Sequence, residues 1–225
     1  KENPCKNMVL PKYKIKEPKS YTEDEVEVLL EKLESVDIKH KVLVNIALTC
    51  GLRRGELMGI EWKDINFKEK YIDIRRGSQY IQNQGTRETG LKTEKSYRSI
   101  TVPNGLIEIL MEYKKWQDNE KEKAGDLWVE NDRLFVNDIG EPLNPDSMYQ
   151  WWTRFLKRNG LRHMSLHGLR HTSISILISN NEDIVEVSRR SGHSKVGTTL
   201  NKYSHLFKDM NRRSADILDR VIYKK

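Results

Sequence analysis

The sequence predicts a mainly α-helical fold with one small antiparallel β-sheet set into its first half, an α+β arrangement. Two observations predict it. Apolar residues recur at helical spacing over most of the chain, and only the stretch around 70–103 alternates in the period-two manner of half-buried strands. At 225 residues with 32% charged side chains, the chain is long enough for a sizeable core and reads as soluble and globular.

The elements follow in order. Residues 1–20 (KENPCKNMVLPKYKIKEPKS) carry three spaced prolines and many lysines, the composition of an extended basic interdomain linker reaching from an upstream domain. Thr22 and Glu25 form a capping-box pattern ahead of VEVLLEKL, so a helix starts there. A second, apolar helix over about 39–50 ends at Gly51, and a short helix follows across RRGELMGI. KYIDIRR, SQYIQNQ and YRSITVP alternate, are rich in Ile, Tyr and Val, and are separated by Gly-containing turns, which gives the sheet. Helical spacing returns from about 104 (LIEILMEYKKW) and from 145 (DSMYQWWTRFLKR), then continues to a last helix at about 209–222. DRLFVND reads either as one more short strand or as an extended connection. Residues 21–225 thus form one domain.

The net charge of +7 is uneven. Residues 1–20 hold six Lys against two Glu, and residues 151–225 hold fifteen Lys plus Arg against six acids, so the stretch between them is 7 − 4 − 9 = −6. Basic ends around an acidic middle point to a localised polyanion-binding surface. No apolar run reaches the roughly 18 residues of a membrane span, and no signal peptide is expected. Cys5 and Cys50 make neither a disulfide framework nor a zinc pattern, so a reducing cytoplasmic setting is expected, with Cys5 free and exposed.

HGLRH (167–171) opens an apolar helix with two imidazoles and a guanidinium. His167 and His171 have the i, i+4 spacing of a zinc pair, but Gly168 stands where such hydrolases carry a general-base Glu, and the cation Arg170 stands between the imidazoles. An anion fits better. His167 and Arg170, three apart, share a face near a helix N-terminus, where free N–H groups and the macrodipole favour phosphate. His171 is expected to point elsewhere, into the core or behind the first contacts.

TCGLRRGELMGI (49–60) repeats the logic: Arg53 starts a new turn and Glu56, three residues on, can hold its guanidinium in place. TGLKTEKSYRSITVP (89–103) reads as a hairpin with Lys92 near its turn. SGHSKVGTTLNKYSH puts His193 ten residues before Tyr203, with Lys202 and His205 flanking the tyrosine. Two Arg, a Lys and two His supply donors for a nonbridging phosphate and a proton for a leaving oxygen, and Tyr203 supplies a hydroxyl. No carboxylate cluster stands ready for Mg²⁺, so no metal or other cofactor is expected. A phenol of pKa about 10 needs those cations close by to attack well.

In order and spacing, GLRRGEL, a hairpin Lys, HGLRH, GH and a Tyr ten residues later resemble the tyrosine recombinases, in particular the integrases of phages and conjugative transposons, over about residues 20–210. The resemblance implies the tyrosine-recombinase catalytic-domain fold and a catalytic set of Arg53, Lys92 (with Lys95 as fallback), His167, Arg170, His193 and Tyr203, supported by Glu56. It implies strand cleavage through a 3′-phosphotyrosyl intermediate without metal or ATP. His167 would either help take the tyrosyl proton or orient the phosphate. It further implies double-stranded DNA as partner, a homotetramer on DNA with the C-terminal tail docking in trans, excisionase and DNA-bending partners, and a bacterial, nucleoid-associated setting. A type IB topoisomerase and a non-catalytic DNA-binding regulator are the rival readings. One departure is length: SQYIQNQGTRET, about residues 78–89, exceeds a minimal three-stranded sheet and suggests an inserted strand or hairpin that touches DNA or a neighbouring subunit.

Overall fold

A computed structural model describes residues 19–90, 96–207 and 210–223. Most of the expected linker, Cys5 and both candidate lysines, Lys92 and Lys95, lie outside these residues.

The helices begin and end where their caps dictate. Helix α1 (Glu23–Leu33) starts with the full capping box: Thr22 Oγ1 accepts from the Glu25 N–H at 3.2 Å, and Glu25 Oε2 accepts from the Thr22 N–H at 2.8 Å. Helix α2 (Ile38–Cys50) has no exposed residue, and Val42, Leu43, Val44, Ile46, Ala47 and Cys50 are buried, so it runs through the core. It stops at Gly51, whose φ of 57° closes the helix in the left-handed region. The short α3 (Arg54–Met58) follows at once. Later come α4 (Asn104–Ala124), α5 (Pro145–Arg158), α6 (Leu166–Ser179), α7 (Ile184–Ser191), α8 (Val196–Tyr203) and α9 (Met210–Leu218). The last continues as a π-helical turn over Asp219–Tyr223. Among the described residues, no helix is long and apolar enough to cross a membrane.

Among the described residues the strands form two sheets rather than the one expected. Strands β1 (Ile65–Asn66), β2 (Tyr71–Ile74) and β5 (Arg98–Thr101) make a three-stranded antiparallel sheet in the order β1-β2-β5. Strands β3 (Arg76–Ile81) and β4 (Gly85–Gly90) make a separate hairpin, which is the inserted segment the length of 78–89 suggests. Among the described residues β4 pairs with β3 and β5 with β2, so the two strands on either side of 91–95 are not paired with each other.

Two features pull β3 out of the first sheet. Its backbone packs against α3, where a Cβ on Gly59 would stand 2.9 Å from the Arg76 carbonyl oxygen. A half-buried ion cluster also fastens it: Arg76 pairs with Asp64 and with Glu61 (3.0 Å), and Arg133 donates to the Gly59 carbonyl (2.9 Å) and to Glu88 (3.1 Å). DRLFVND resolves into an extended connection with isolated bridges, Glu61 to Arg133 and Val136 to Pro142.

One large apolar core joins α1, α2, the three-stranded sheet, α4, α5 and the start of α6, with Trp152, Tyr113 and Phe135 its largest buried rings. A second, smaller core of Ile174, Ile178, Val187 and Tyr203 lies under α6, α7 and α8. Of the site residues expected from the sequence, those that are described gather where α3, α6, α7 and α8 meet.

Candidate active site

Arg53 is the residue that starts α3, with extended backbone (φ −71°, ψ 151°) right after the Gly51 break. Its Nη1 donates to Glu56 Oε1 at 2.6 Å, and its backbone N–H donates to Glu56 Oε2 at 3.1 Å. The remaining terminal nitrogen, Nη2, donates to the Gly192 carbonyl oxygen at 2.8 Å, which ties α3 to the turn after α7. The Arg53 side chain remains 44% exposed over a Glu56 side chain that is only 5% exposed, so the guanidinium is held from below and open above.

A second arginine shares that carboxylate. Arg98, on β5, donates from Nη2 to Glu56 Oε2 (2.8 Å), from Nε to the Arg190 carbonyl (2.8 Å) and from Nη1 to the Ser96 carbonyl (3.0 Å). Burial alone would raise the Glu56 carboxyl. The hydrogen bond and charge of Arg98, then Arg53, outweigh it and hold the group below the usual carboxylate range, so Glu56 is an anion.

Helix α6 begins at Ser165, whose Oγ accepts from the Gly168 N–H at 3.2 Å. His167 lies exposed in its first turn, whereas Arg170 is buried, with Nη1 donating to the Gly51 carbonyl at 2.6 Å. Burial first, then the charge of Arg53, pushes the Arg170 guanidinium down to about 10, which leaves it cationic at neutral pH. Burial and the charges of Arg170, Lys202 and Arg53 lower His167 as well.

His193 follows the left-handed Gly192 (φ 66°), and its Nδ1 stands 2.7 Å from Thr199 Oγ1. Burial and the charges of Arg170 and Arg53 push it down to about 4, so the ring is neutral. Tyr203 ends α8 with its ring fully buried in the smaller core. The cations do not win over its phenol: burial raises its pKa, and Arg170 only partly offsets this.

The expectation for His171 is overturned. One helical turn after His167, its ring meets that of His167 edge-on at 4.9 Å, and its Nδ1 stands 2.5 Å from Tyr203 Oη. It faces the site, not the core behind it. Spacing alone does reveal this, since i and i+4 share a face, but the apolar residues that follow suggest burial.

The fold therefore brings together Arg53, Glu56, His167, Arg170, His193 and Tyr203, which come from four segments of the chain, and adds His171, Lys202 and Arg98. Among the described residues, no group of three His, Cys, Asp or Glu side chains is placed to hold a metal ion. Two guanidinia and Lys202 act electrostatically on the same imidazoles, and the Glu56 carboxylate is already bonded to two arginines. Such a site is complementary to a small, strongly charged anion such as a phosphate.

The model of the phage integrase family matches residues 19–210. This chain belongs to the phage integrase family. Within it, the chain is 29% identical over 235 residues to a tyrosine recombinase XerC-like protein of Caldanaerobacter subterraneus subsp. tengcongensis, covering 97% of this chain and 60% of the relative. It is 26% identical over 224 residues to the ICEBs1 integrase of Bacillus subtilis, covering 99% of this chain and again 60% of the relative. The chain thus spans about three-fifths of the length of these curated relatives. Among solved structures, the Tn1549 transposon integrase in complex with a circular intermediate DNA superposes with a TM-score of 0.76 at 22% identity, over 90% of this chain and 66% of that one. The XerA recombinase superposes with a TM-score of 0.68 at 22% identity, over 88% of this chain and 66% of that one. The mainly helical architecture with small antiparallel sheets is therefore the tyrosine-recombinase catalytic fold.

Proposed function

We propose that this chain is the catalytic part of a site-specific DNA recombinase that integrates and excises a mobile element, with residues 21–225 as its catalytic domain and 1–20 as a basic linker. The observation that carries this reading is the Tyr203 hydroxyl 2.5 Å from His171 Nδ1, with Arg170 acting on the phenol and with Arg53, Arg170 and Lys202 acting together on His167 and His193. Family membership and the similarity to the ICEBs1 integrase, to transposase A from transposon Tn554 and to the integrase of Staphylococcus phage L54a support it.

In this mechanism Tyr203 Oη attacks a DNA phosphodiester, giving a 3′-phosphotyrosyl enzyme and a free 5′-hydroxyl. The 5′-hydroxyl of a partner strand then attacks that linkage. Arg53 and Arg170 clamp the nonbridging oxygens and meet the charge of the phosphorane, with Glu56 holding Arg53 in place. His193 donates one further hydrogen bond, His167 orients the phosphate, and Lys92 protonates the departing 5′-oxygen. The linkage conserves the bond energy, so neither metal nor ATP enters.

The full assembly is a tetramer on double-stranded DNA, with accessory excisionase and bending proteins, in a bacterial cytoplasm. The β3–β4 hairpin touches DNA or a neighbouring subunit, and the apolar tail docks on the neighbouring protomer.

The test is a nicked duplex that traps cleavage, run on a denaturing gel without metal. The expected result is a covalent protein–DNA band that Tyr203→Phe abolishes while DNA binding persists. A band that survives Tyr203→Phe refutes the nucleophile. Relaxation of supercoiled DNA by a monomer, without exchange between two sites, favours topoisomerase chemistry instead.

A further inference from the structure

The phenol proton of Tyr203 has to leave as the oxygen bonds to phosphorus, and the geometry around that oxygen is specific. Among the described residues, the imidazole at hydrogen-bond distance from Tyr203 Oη is His171, at 2.5 Å through Nδ1. His167, one turn earlier, meets the edge of the His171 ring instead. Building on the reading of Tyr203 as nucleophile, we propose that His171 is a catalytic residue: its Nδ1 accepts the Tyr203 proton as Oη attacks phosphorus, and returns it when the phosphotyrosyl bond breaks.

The proton balance closes on this pair. In the resting site, neutral His171 carries its ring hydrogen on Nε2 and accepts from the phenol at Nδ1. As the Oη–P bond forms, the O–H bond breaks and its proton moves to Nδ1, leaving an imidazolium beside the bound DNA phosphate. The 5′-oxygen leaves with a proton from the general acid. On resealing, the incoming 5′-hydroxyl gives its proton to the deprotonated general acid, and the imidazolium protonates the departing phenolate and returns to neutral.

Charge explains why the acceptor waits for DNA. Besides Tyr203, the ionisable groups acting on His171 are His167 and Arg170 on its own helix and Lys202 on α8. Burial, then the charges of these neighbours, pushes the ring down to about 4, so it is a poor proton acceptor in the free protein. A phosphodiester clamped by Arg53 and Arg170 brings negative charge to the same place and reverses that bias, which makes His171 more basic when substrate is bound. The ring also lines a cleft of about 310 Å³ with Lys19, His163, Ser165 and His167, a route by which a proton can exchange with solvent.

The test uses a pool of nicked duplexes of randomised sequence and single-turnover formation of the covalent adduct. His171→Asn keeps a hydrogen-bond acceptor but cannot hold a proton, whereas His171→Ala opens space for a small base. Both variants are expected to lose about 10²–10⁴-fold in adduct formation with DNA binding retained. Added imidazoles are expected to restore the Ala variant in order of their basicity, and to do nothing for Tyr203→Phe. A His171→Asn protein that cleaves at the wild-type rate overturns the proposal, as does an Ala variant that folds, binds DNA and is not restored by imidazole. A nitrogen-15 NMR measurement of the His171 tautomer needs no DNA and no variant. Hydrogen on Nε2 with Nδ1 free supports the proposal, and hydrogen on Nδ1 overturns it. Absence of any Tyr203-dependent adduct from the wild-type protein refutes the nucleophile reading, and shows in a different lane from a failure of His171.

Discussion

Arg98 Nη2 and Arg53 Nη1 grip opposite oxygens of the Glu56 carboxylate, at 2.8 and 2.6 Å. The two arginines have different surroundings: the Arg98 side chain is 4% exposed, that of Arg53 44%. Arg98 is therefore the internal half of the clamp, joining β5 to α3 and, through the Arg190 carbonyl, to the end of α7. Removing one partner of a buried, hydrogen-bonded ion pair typically costs about 3–5 kcal/mol, because the other charge stays buried. Arg98→Ala is expected to lose that much in a urea titration. Arg98→Lys, which lacks the fork of donors, should recover only part of it. An unchanged urea midpoint for Arg98→Ala would show that Arg53 alone satisfies Glu56.

Two glycines near the site predict opposite signs. Gly192 has φ 66° and a missing side chain whose place Arg98 fills, since a Cβ there would lie 2.7 Å from Arg98 Nη1. Its carbonyl also receives Arg53, and His193 follows it directly. Gly192→Ala is expected to destabilise by about 1–3 kcal/mol from backbone strain alone, and to lower adduct formation by displacing both neighbours. Gly197, in the first turn of α8, has nothing within 4 Å of an added Cβ. Gly197→Ala is expected to raise the melting temperature, with up to about 1 kcal/mol gained from helix propensity. Thermal melts of the two variants side by side check both signs.

Much of this site was legible because local chemistry and tertiary placement agree there. The Thr22–Glu25 box, the stop at Gly51 and the Arg53–Glu56 pair are interactions within one turn, so the sequence states them directly. Arg98 was not legible, because its partners at Glu56 and Arg190 lie 42 and 92 residues away and nothing in YRSITVP marks it from an ordinary strand residue. The second sheet is hidden in the sequence for a similar reason. Alternation identifies a strand but not its partner, and it is Arg76 pairing with Glu61 and Asp64, with close approach at Gly59, that turns β3 away. The apolar run after His171 points to burial, yet its ring faces the Tyr203 hydroxyl.

The imidazoles give the protein an acid limit. His171 and His193 are each pushed to about 4 in the folded state, below an ordinary value of 6.5. Between those values the unfolded chain binds protons that the folded chain refuses, so stability is fully present above 6.5 and falls as pH drops toward 4. Each half-buried ring contributes on the order of 1 kcal/mol once solvent screening is allowed for. The lowered carboxyls of Glu25 and Glu56 add a further loss as pH falls below their ordinary value of 4.5. Melting temperatures across this range check the window. His193→Gln is expected to flatten the upper part of the curve, and an identical slope in that variant would contradict the assignment.

Tyr203→Phe separates chemistry from packing. The phenylalanine ring still fills the smaller core with Ile174, Ile178 and Val187, so the loss should be about 1 kcal/mol, the value of one hydrogen bond left unmade at His171. Adduct formation should vanish. Arg170→Ala should instead leave the nucleophile intact, lower cleavage by about 10²–10³ as expected for one preorganised donor, and destabilise more by abandoning the Gly51 carbonyl. Comparable cleavage by the Arg170→Ala and wild-type proteins would remove Arg170 from the phosphate clamp.

The tail after Phe207 gives the last prediction. Ile217, Leu218, Val221, Ile222 and Tyr223 are 45–68% exposed, an apolar surface on α9 and its π-helical extension that the other described residues leave uncovered. Exposed apolar stripes of this kind mark sites of association. If the stripe serves assembly, deleting residues 210–225 should leave the melting temperature of the free protein almost unchanged while reducing the number of protomers held on one DNA, measured by light scattering of the complex. The two readouts are independent. A fall in melting temperature by several degrees would mean that the helix packs on its own core, and unchanged stoichiometry would mean that the tail plays no part in joining protomers.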